Sequence, residues 1–260
     1  MNAATRPATA IPTPPFFSAV DSTRFGVRIG RVHLTNPAAL PAALATSRHE
    51  NLRMLIVRCA TDQLPLVHAL EEAGAQLMDT LIYYRRKLGK DPLPEELKPN
   101  RIRRFRESDQ AGIEQVAKES FTGYQGHYHA DPRLDRARAD EGYVEWALNC
   151  CRSRGPNSEV LVAEDANGAP CGFFVVRLTS PQEGEGWLAG VSPAAEGHGL
   201  YWSLCVHALR WCRERGASRM ICSTQLTNST TQKTYGRLGF DLQSSFYTFH
   251  LWLPEAKGSA

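Results

Sequence analysis

Between Leu188 and Tyr201 the chain reads LAGVSPAAEGHGLY. An apolar stretch of strand length gives way to a loop holding Gly197 and Gly199. A helix then opens at about Gly199 and runs to Gly216, with Leu204, His207, Ala208 and Trp211 on one stripe. A strand that feeds a helix directly through such a loop demands an α/β layering, with helices packed on a sheet. It also leaves the helix's first N–H groups facing the loop, where their partial positive charge suits a phosphate. No Gly-Lys-Ser/Thr follows, so this is not a nucleoside-triphosphate loop, and a third glycine at the dinucleotide offset is missing. Taken alone, the segment also fits a plain tight turn.

Alternating strand and helix patterns extend over the rest of the chain. Residues 16–90 read as a compact α/β unit, with strands at Phe25–Leu34, Leu52–Arg58 and Leu77–Arg86. Helices fall at Asn36–Arg48, with Asn36 as cap, and at Leu64–Gly74. KDPLPEELKPN has three prolines in eleven residues and reads as a linker over 91–100. Residues 101–260 form a second, fuller unit, with a long helix at Leu134–Ser153, a hairpin around Asn167-Gly168, a strand at Gly186–Val191, a helix at Asn228–Gly239 and a closing strand at Leu242–Leu253. HALEEAGAQLMDTLIYYRR, from His68, aligns without gaps to KTYGRLGFDLQSSFYTFHL, from Lys233. Duplication and convergent helix–turn–strand chemistry both account for it. In that alignment Tyr235 stands opposite Leu70.

Composition narrows the function classes. A net charge of +3 on 260 residues gives no nucleic-acid footprint. No apolar run is long enough for a membrane span. Residues 1–15, rich in Pro, Ala and Thr, lack a signal-peptide core and read as a disordered tail. Seven cysteines, none in a C-x-x-C pair, read as buried hydrophobes of a cytoplasmic protein. No Cys/His cluster at ligand spacing suggests a metal.

The second candidate constellation is Thr224–Phe240. Asn228 and Tyr235 are seven residues apart, two helical turns, and so share one side of that segment. A phenol, with a pKa near 10, can protonate a departing thiolate. A helix cap and a half-buried packing tyrosine are the plainer readings of the same pair.

Together, V-S-P-x-x-x-G-H-G, Asn228, Tyr235 and L-G-F resemble the GNAT superfamily of acyl-CoA N-acyltransferases over about residues 101–255. The superfamily's pyrophosphate loop corresponds to Ala194–Gly199, with Ala194 standing where the pattern has Gln or Arg. A narrower resemblance is to the dTDP-fucosamine (dTDP-4-amino-4,6-dideoxygalactose) acetyltransferase family. It rests on Asp21–Ile29, Thr224-Gln225-x-x-Asn228 with Tyr235, Phe121-x-x-Tyr124 through His129-Ala130-Asp131-Pro132, and Tyr143-x-x-Trp146. Gly123-Tyr124-Gln125 departs from the Ser-Arg-aromatic run of those relatives.

The resemblance implies an α/β (α+β) GNAT fold, a mixed and mostly antiparallel sheet flanked by helices, preceded by a smaller truncated GNAT-like domain. It implies acetyl-CoA or another short acyl-CoA as co-substrate, no metal, and a nucleotide-sugar amine as acceptor, in polysaccharide biosynthesis. Backbone groups of Leu188, Ala189, Gly190 and Val191 would hold the pantetheine. The N–H groups of Gly197, His198, Gly199, Leu200 and Tyr201 would hold the pyrophosphate. Asn228 would orient the pantetheine or a water, and Tyr235 would protonate the leaving thiolate. Tyr124, His127 and His129 sit on an aromatic, Gly-rich loop that could reach the acceptor. Arg101, Arg103, Arg104 and Arg106 are either phosphate ligands or a solvated strand edge. Glu183 and Glu185 are either a base or a solvated turn. Another small amine or a protein N-terminus as acceptor, and a CoA-binding protein without activity, are the competing readings. Leu242–Leu253 either pairs edge to edge in a homodimer or is buried by the chain's own elements.

Overall fold

A computed structural model describes residues 15–89 and 92–254. The tail expected over residues 1–15 therefore lies, apart from Pro15, outside the described residues. The chain enters through β1 (Phe16–Phe17), α1 (Ala19–Phe25), β2 (Ile29–His33), α2 (Leu40–His49), β3 (Met54–Ala60), α3 (Leu64–Glu72) and β4 (Gln76–Lys87). It continues with β5 (Arg101–Arg104), α4 (Gln110–Phe121), α5 (His127–Ala130), α6 (Arg136–Arg152), β6 (Ser158–Glu164), β7 (Pro170–Ser180) and β8 (Glu183–Val191). It ends with α7 (Leu200–Glu214), β9 (Arg219–Gln225), α8 (Ser229–Arg237) and β10 (Asp241–Trp252).

These elements form two compact units, divided differently from the expected 16–90 and 101–260. Unit 1 takes the described residues up to Ile82, Gln125–Ala139 and the chain from Ser244; unit 2 takes Tyr83–Tyr124 and Asp140–Gln243. Strands β4 and β10 each have residues in both. In unit 1 the strand order is β1-β2-β3-β10-β4, with β2 and β3 parallel and β10 antiparallel to β3 from Phe246↔Ala60 to Trp252↔Met54. The closing strand is thus an inner strand with neighbours on both sides. Of the two readings of Leu242–Leu253, the one in which the chain's own elements cover it holds for this edge: its backbone groups are taken up by β3 and β4. In unit 2 the order is β4-β9-β8-β7-β6-β5, antiparallel from β8 outward and parallel between β8 and β9.

Two apolar layers hold unit 2. Leu204, Ala208, Leu209 and Trp211 of α7 pack with Phe174, Val176 and Met220 on one face of the sheet. Ile113, Val116 and Ala117 of α4 pack with Val160, Phe173 and Val175 on the other. Phe173/Val175 and Phe174/Val176 point opposite ways because strand side chains alternate. Unit 1 has its own core of Val32, Leu55, Val57, Leu66, Leu70 and Phe249. All seven cysteines are free and buried. The two aligned segments share a local plan: α3 and α8 are each followed by a left-handed glycine, Gly74 and Gly239, before β4 and β10. The matched positions Leu70 and Tyr235 are both core residues, one in each unit.

Unit 1 also contains a buried polar chain. The carboxylate of Asp131, fully buried, accepts from His250 Nδ1 at 2.9 Å, Trp252 Nε1 at 2.8 Å and Arg133 Nε at 2.7 Å. Burial pushes its carboxyl up, but the bonds from His250, Arg133 and Trp252 prevail and hold it below the usual range. His250 Nε2 meets His127 Nδ1 at 2.9 Å. Nearby, Tyr128 donates to Asp21, and Arg31 pairs with the same carboxylate. The segment expected as an open loop therefore folds as α5, with His127 and His129 buried. A strand reading of Phe25–Leu34 also missed α1, where Ser18 Oγ donates to Asp21 at 2.6 Å and steadies the first turn.

Burial, with His250, Arg31, Arg58 and His129 close by, pushes the His127 imidazole well below its ordinary 6.5. Asp79 accepts the His127 backbone N–H and faces the same cluster. His127 is thus neutral in the folded chain and binds a proton below pH 6.5 once unfolded. Its contribution is complete above pH 6.5 and is lost as pH falls below it. The urea midpoint is expected to drop between pH 6.5 and 5, and His127→Asn to lessen that drop. Asp131→Asn, which leaves buried donors without a charge to meet, is expected to cost about 3 kcal/mol in the same measurement.

Candidate active site

The geometry of unit 2 turns on one irregularity in β8. Phe174 pairs with Ala189 and Val175 with Leu188, but Val176 then pairs with Gly186. Trp187 is the extra residue of a bulge, and its ring is held by the Arg177 guanidinium, 3.6 Å from the ring centroid, and by Trp146. Before the bulge, β8 pairs with β9 from Glu183↔Arg219 to Gly186↔Cys222. Beyond it, among the described residues, no β8–β9 pairing continues. Leu188–Val191 stay bonded to β7 while Ser223–Gln225 of β9 run on separately. The parted strands leave backbone N–H and C=O groups available to a third, extended amide chain.

The β8 backbone leads straight into the glycine loop. After a 3-10 turn at Pro193–Ala195, Gly197 and Gly199 both adopt left-handed backbone angles, φ +77° and +76°. Gly199 is the N-cap of α7 and offers no side chain to cap it. The buried stripe on α7 anchors the helix, so its first N–H groups are fixed at the loop. Glu196, Gly197 and His198 are exposed.

Asn228 caps α8, its Oδ1 accepting from Thr231 N at 3.1 Å. The capping reading is therefore correct, and it commits the carbonyl oxygen. Tyr235, two turns on, is 3% exposed, and its hydroxyl lies 2.9 Å from that of Tyr201. Burial, ahead of the neighbouring Tyr201, Cys222 and Cys205, holds the Tyr235 phenol well above its usual range, so it carries its proton at neutral pH. Tyr124 is half-buried between Phe121 and Tyr143, and its hydroxyl donates to Gln225 at the end of β9. It thus lies with unit 2, whereas His127 and His129 belong to unit 1.

Three features were not anticipated. β8 begins at Glu183, so Glu183 and Glu185 are buried strand residues rather than a solvated turn. Glu183 pairs with Arg219 at 2.6 Å and Glu185 with Arg177 at 2.6 Å. Burial raises the Glu185 carboxyl against the pull of Arg177. The alternation in EGEGW was the available signal. Arg103 is bound by Asp109 and Glu164, and Arg104 lies 3.5 Å from Glu159, which commits two arginines of the basic run to structure. The Tyr201 hydroxyl, beside Tyr235, carries no local sequence signal.

The family model described as "Acetyltransferase (GNAT) family" matches residues 114–240. Spore coat polysaccharide biosynthesis protein SpsD of Bacillus subtilis (strain 168) is 28% identical over 144 residues, 55% of this chain and 48% of that protein. Mycothiol acetyltransferase of Mycobacterium sp. (strain JLS) is 33% identical over 93 residues, 34% of this chain and 31% of that protein. The chain thus spans half or less of the length of these relatives. Among solved structures, a tandem GNAT protein from the clavulanic acid biosynthesis pathway superposes with a TM-score of 0.59 at 14% identity, covering 84% of this chain and 70% of that one. The fold is the GNAT fold, with a mixed sheet flanked by helices, and residues 114–240 of the chain match the acetyltransferase (GNAT) family.

Proposed function

We propose that the chain is an N-acyltransferase that moves an acetyl or other short acyl group from CoA to the amine of a dTDP-linked amino-dideoxysugar. The observation that carries this reading is the parting of β8 from β9 beyond the Trp187 bulge. Pantetheine is an extended chain with two amides, and it suits a strand edge that lacks its partner. Leu188, Ala189, Gly190 and Val191 then bind it through backbone groups. A backbone N–H there polarises the thioester carbonyl. The loop and first turn of α7, from Gly197 through His198, Gly199 and Leu200 to Tyr201, take the pyrophosphate. Asn228 has its two amide hydrogens left for pantetheine or a water.

The reaction is direct transfer. A neutral amine attacks the carbonyl carbon, the C–S bond breaks, and Tyr235 gives its proton to the sulfur. The proton lost by the amine passes to water or to Glu185, two residues before the bulge. SpsD, by its name a polysaccharide biosynthesis protein, supports a sugar acceptor, and mycothiol acetyltransferase supports the acetyl donor. Tyr124, bonded to the end of β9, is the acceptor contact this reading favours among the three expected. Catalysis in unit 2, which holds the opened strand, the glycine loop, Asn228 and Tyr235, belongs to the same reading.

Two experiments test it. Release of CoA thiol from acetyl-CoA is expected with dTDP-4-amino or dTDP-3-amino dideoxysugar, and to fall at least about tenfold in Tyr235→Phe. Binding without release on either sugar points to another amine acceptor, and absence of binding ends the enzyme reading. Gly199→Ala forces a side chain into a left-handed backbone at the loop, and is expected to weaken acetyl-CoA binding by about fivefold in calorimetry, a cost of about 1 kcal/mol.

A further inference from the structure

Two phenols meet inside unit 2. Tyr201, in the first turn of α7, and Tyr235, on α8, share a hydrogen bond of 2.9 Å between their hydroxyls. Rings fix both partners. Phe174 stands 6.3 Å from Tyr201 between centroids, and Tyr84 and Phe240 stand 5.4 and 5.3 Å from Tyr235. The Tyr84 hydroxyl is turned away, donating to Gln232 at 3.3 Å. Cys205 is hydrogen-bonded to Tyr201 and Cys222 to Tyr235, and burial pushes both thiols up, so they are weak partners that bring no charge.

Each hydroxyl has one proton, and the bond between them uses one of the two. If Tyr235 donates to sulfur during transfer, Tyr201 must be the donor in the shared bond. We propose that Tyr201 is a positioning residue for acyl transfer: its hydroxyl donates to the Tyr235 oxygen and leaves the Tyr235 proton free for the departing thiolate. This rests on the proposed function and assigns a task to a side chain that the reading otherwise uses only through its backbone.

The step balances as follows. The C–S bond of the tetrahedral adduct breaks and its electron pair goes to sulfur. The Tyr235 proton moves to that sulfur, giving the CoA thiol, and leaves a phenolate that accepts from Tyr201. The amine's surplus proton passes to solvent, and solvent returns one to Tyr235. A hydrogen bond to an oxyanion is stronger than one to a neutral phenol, so the Tyr201 contact tightens as the reaction proceeds. Burial, with Tyr201 and the two thiols beside it, makes the resting Tyr235 a weak acid. Once its proton leaves, the Tyr201 hydroxyl is the group that donates to the phenolate.

The test compares Tyr201→Phe, Tyr235→Phe and the double variant, with acetyl-CoA and the two dTDP-amino sugars. A pH titration of tyrosine 13Cζ resonances runs alongside in the parent and Tyr201→Phe proteins. Tyr201→Phe is expected to lower kcat about tenfold, the share of one charge-assisted bond, with KM for acetyl-CoA within about twofold. The double variant is expected to be no slower than Tyr235→Phe, because the two groups act as one unit. The Tyr235 resonance is expected to shift its titration when Tyr201 is removed. If Tyr235→Phe is impaired while Tyr201→Phe stays within about twofold of the parent, or if the losses multiply, the proposal is overturned and the acid role of Tyr235 stands. If neither sugar supports turnover, the functional reading falls and the titration decides alone: an unshifted Tyr235 resonance overturns the proposal.

Discussion

The parting of β8 from β9 at the Trp187 bulge is the constraint from which the site in unit 2 follows. One unpaired residue ends the parallel ladder, and the strand beyond it stays bonded to β7 alone. Because that same strand runs on into the Gly197–Gly199 loop, the opened backbone and the first turn of α7 are set by a single stretch of chain. Arg177, stacked on Trp187 and bonded to Glu185, fixes the bulge from the neighbouring strand. The buried Arg177–Glu185 pair is thus tied to the place where the sheet opens, in a way that a pair elsewhere on the sheet would not be.

The two halves of the helix–turn–strand repeat place different chemistry at one position. Leu70 in unit 1 is buried among aliphatic residues, and Tyr235 in unit 2 is buried against another phenol. The apolar copy needs only to pack, whereas the polar copy must satisfy a hydroxyl away from water, which the Tyr201 oxygen does. Unit 1 concentrates its own polar groups elsewhere, in the chain from Asp131 through His250 to His127. Charged and polar groups of that kind are costly to bury unless they are paired.

Much of this architecture was legible because it rests on short-range patterns. Leu204, Ala208 and Trp211 mark a helix face, Asn36 and Asn228 stand at helix starts, and Asn167-Gly168 marks a hairpin. The glycine loop was legible for the same reason, since left-handed angles at Gly197 and Gly199 are what their residue type allows. What stayed hidden depends on partners distant in sequence. His127 looked like a loop residue because His250, 123 residues on, is what draws it inside. Glu185 looked like part of a turn because Arg177 and the strand register, not local composition, make it a buried ion pair. The Tyr201 hydroxyl had no signal because a tyrosine in a helix's first turn reads as packing until α8 is laid beside it.

The membership of β10 in unit 1 carries a consequence for how the chain is made. Unit 1 starts before unit 2 in the chain, yet an inner strand of its sheet, Ser244–Trp252, comes only after the last residue of unit 2. During synthesis β3, with the apolar run Met54–Val57, must wait for nearly two hundred further residues before its neighbour leaves the ribosome. Until then it presents an open, hydrophobic strand edge, the kind of surface on which nascent chains associate wrongly. The interval ends only when β10 is made, so slow elongation or truncation before that strand harms the part of the unit that was made first.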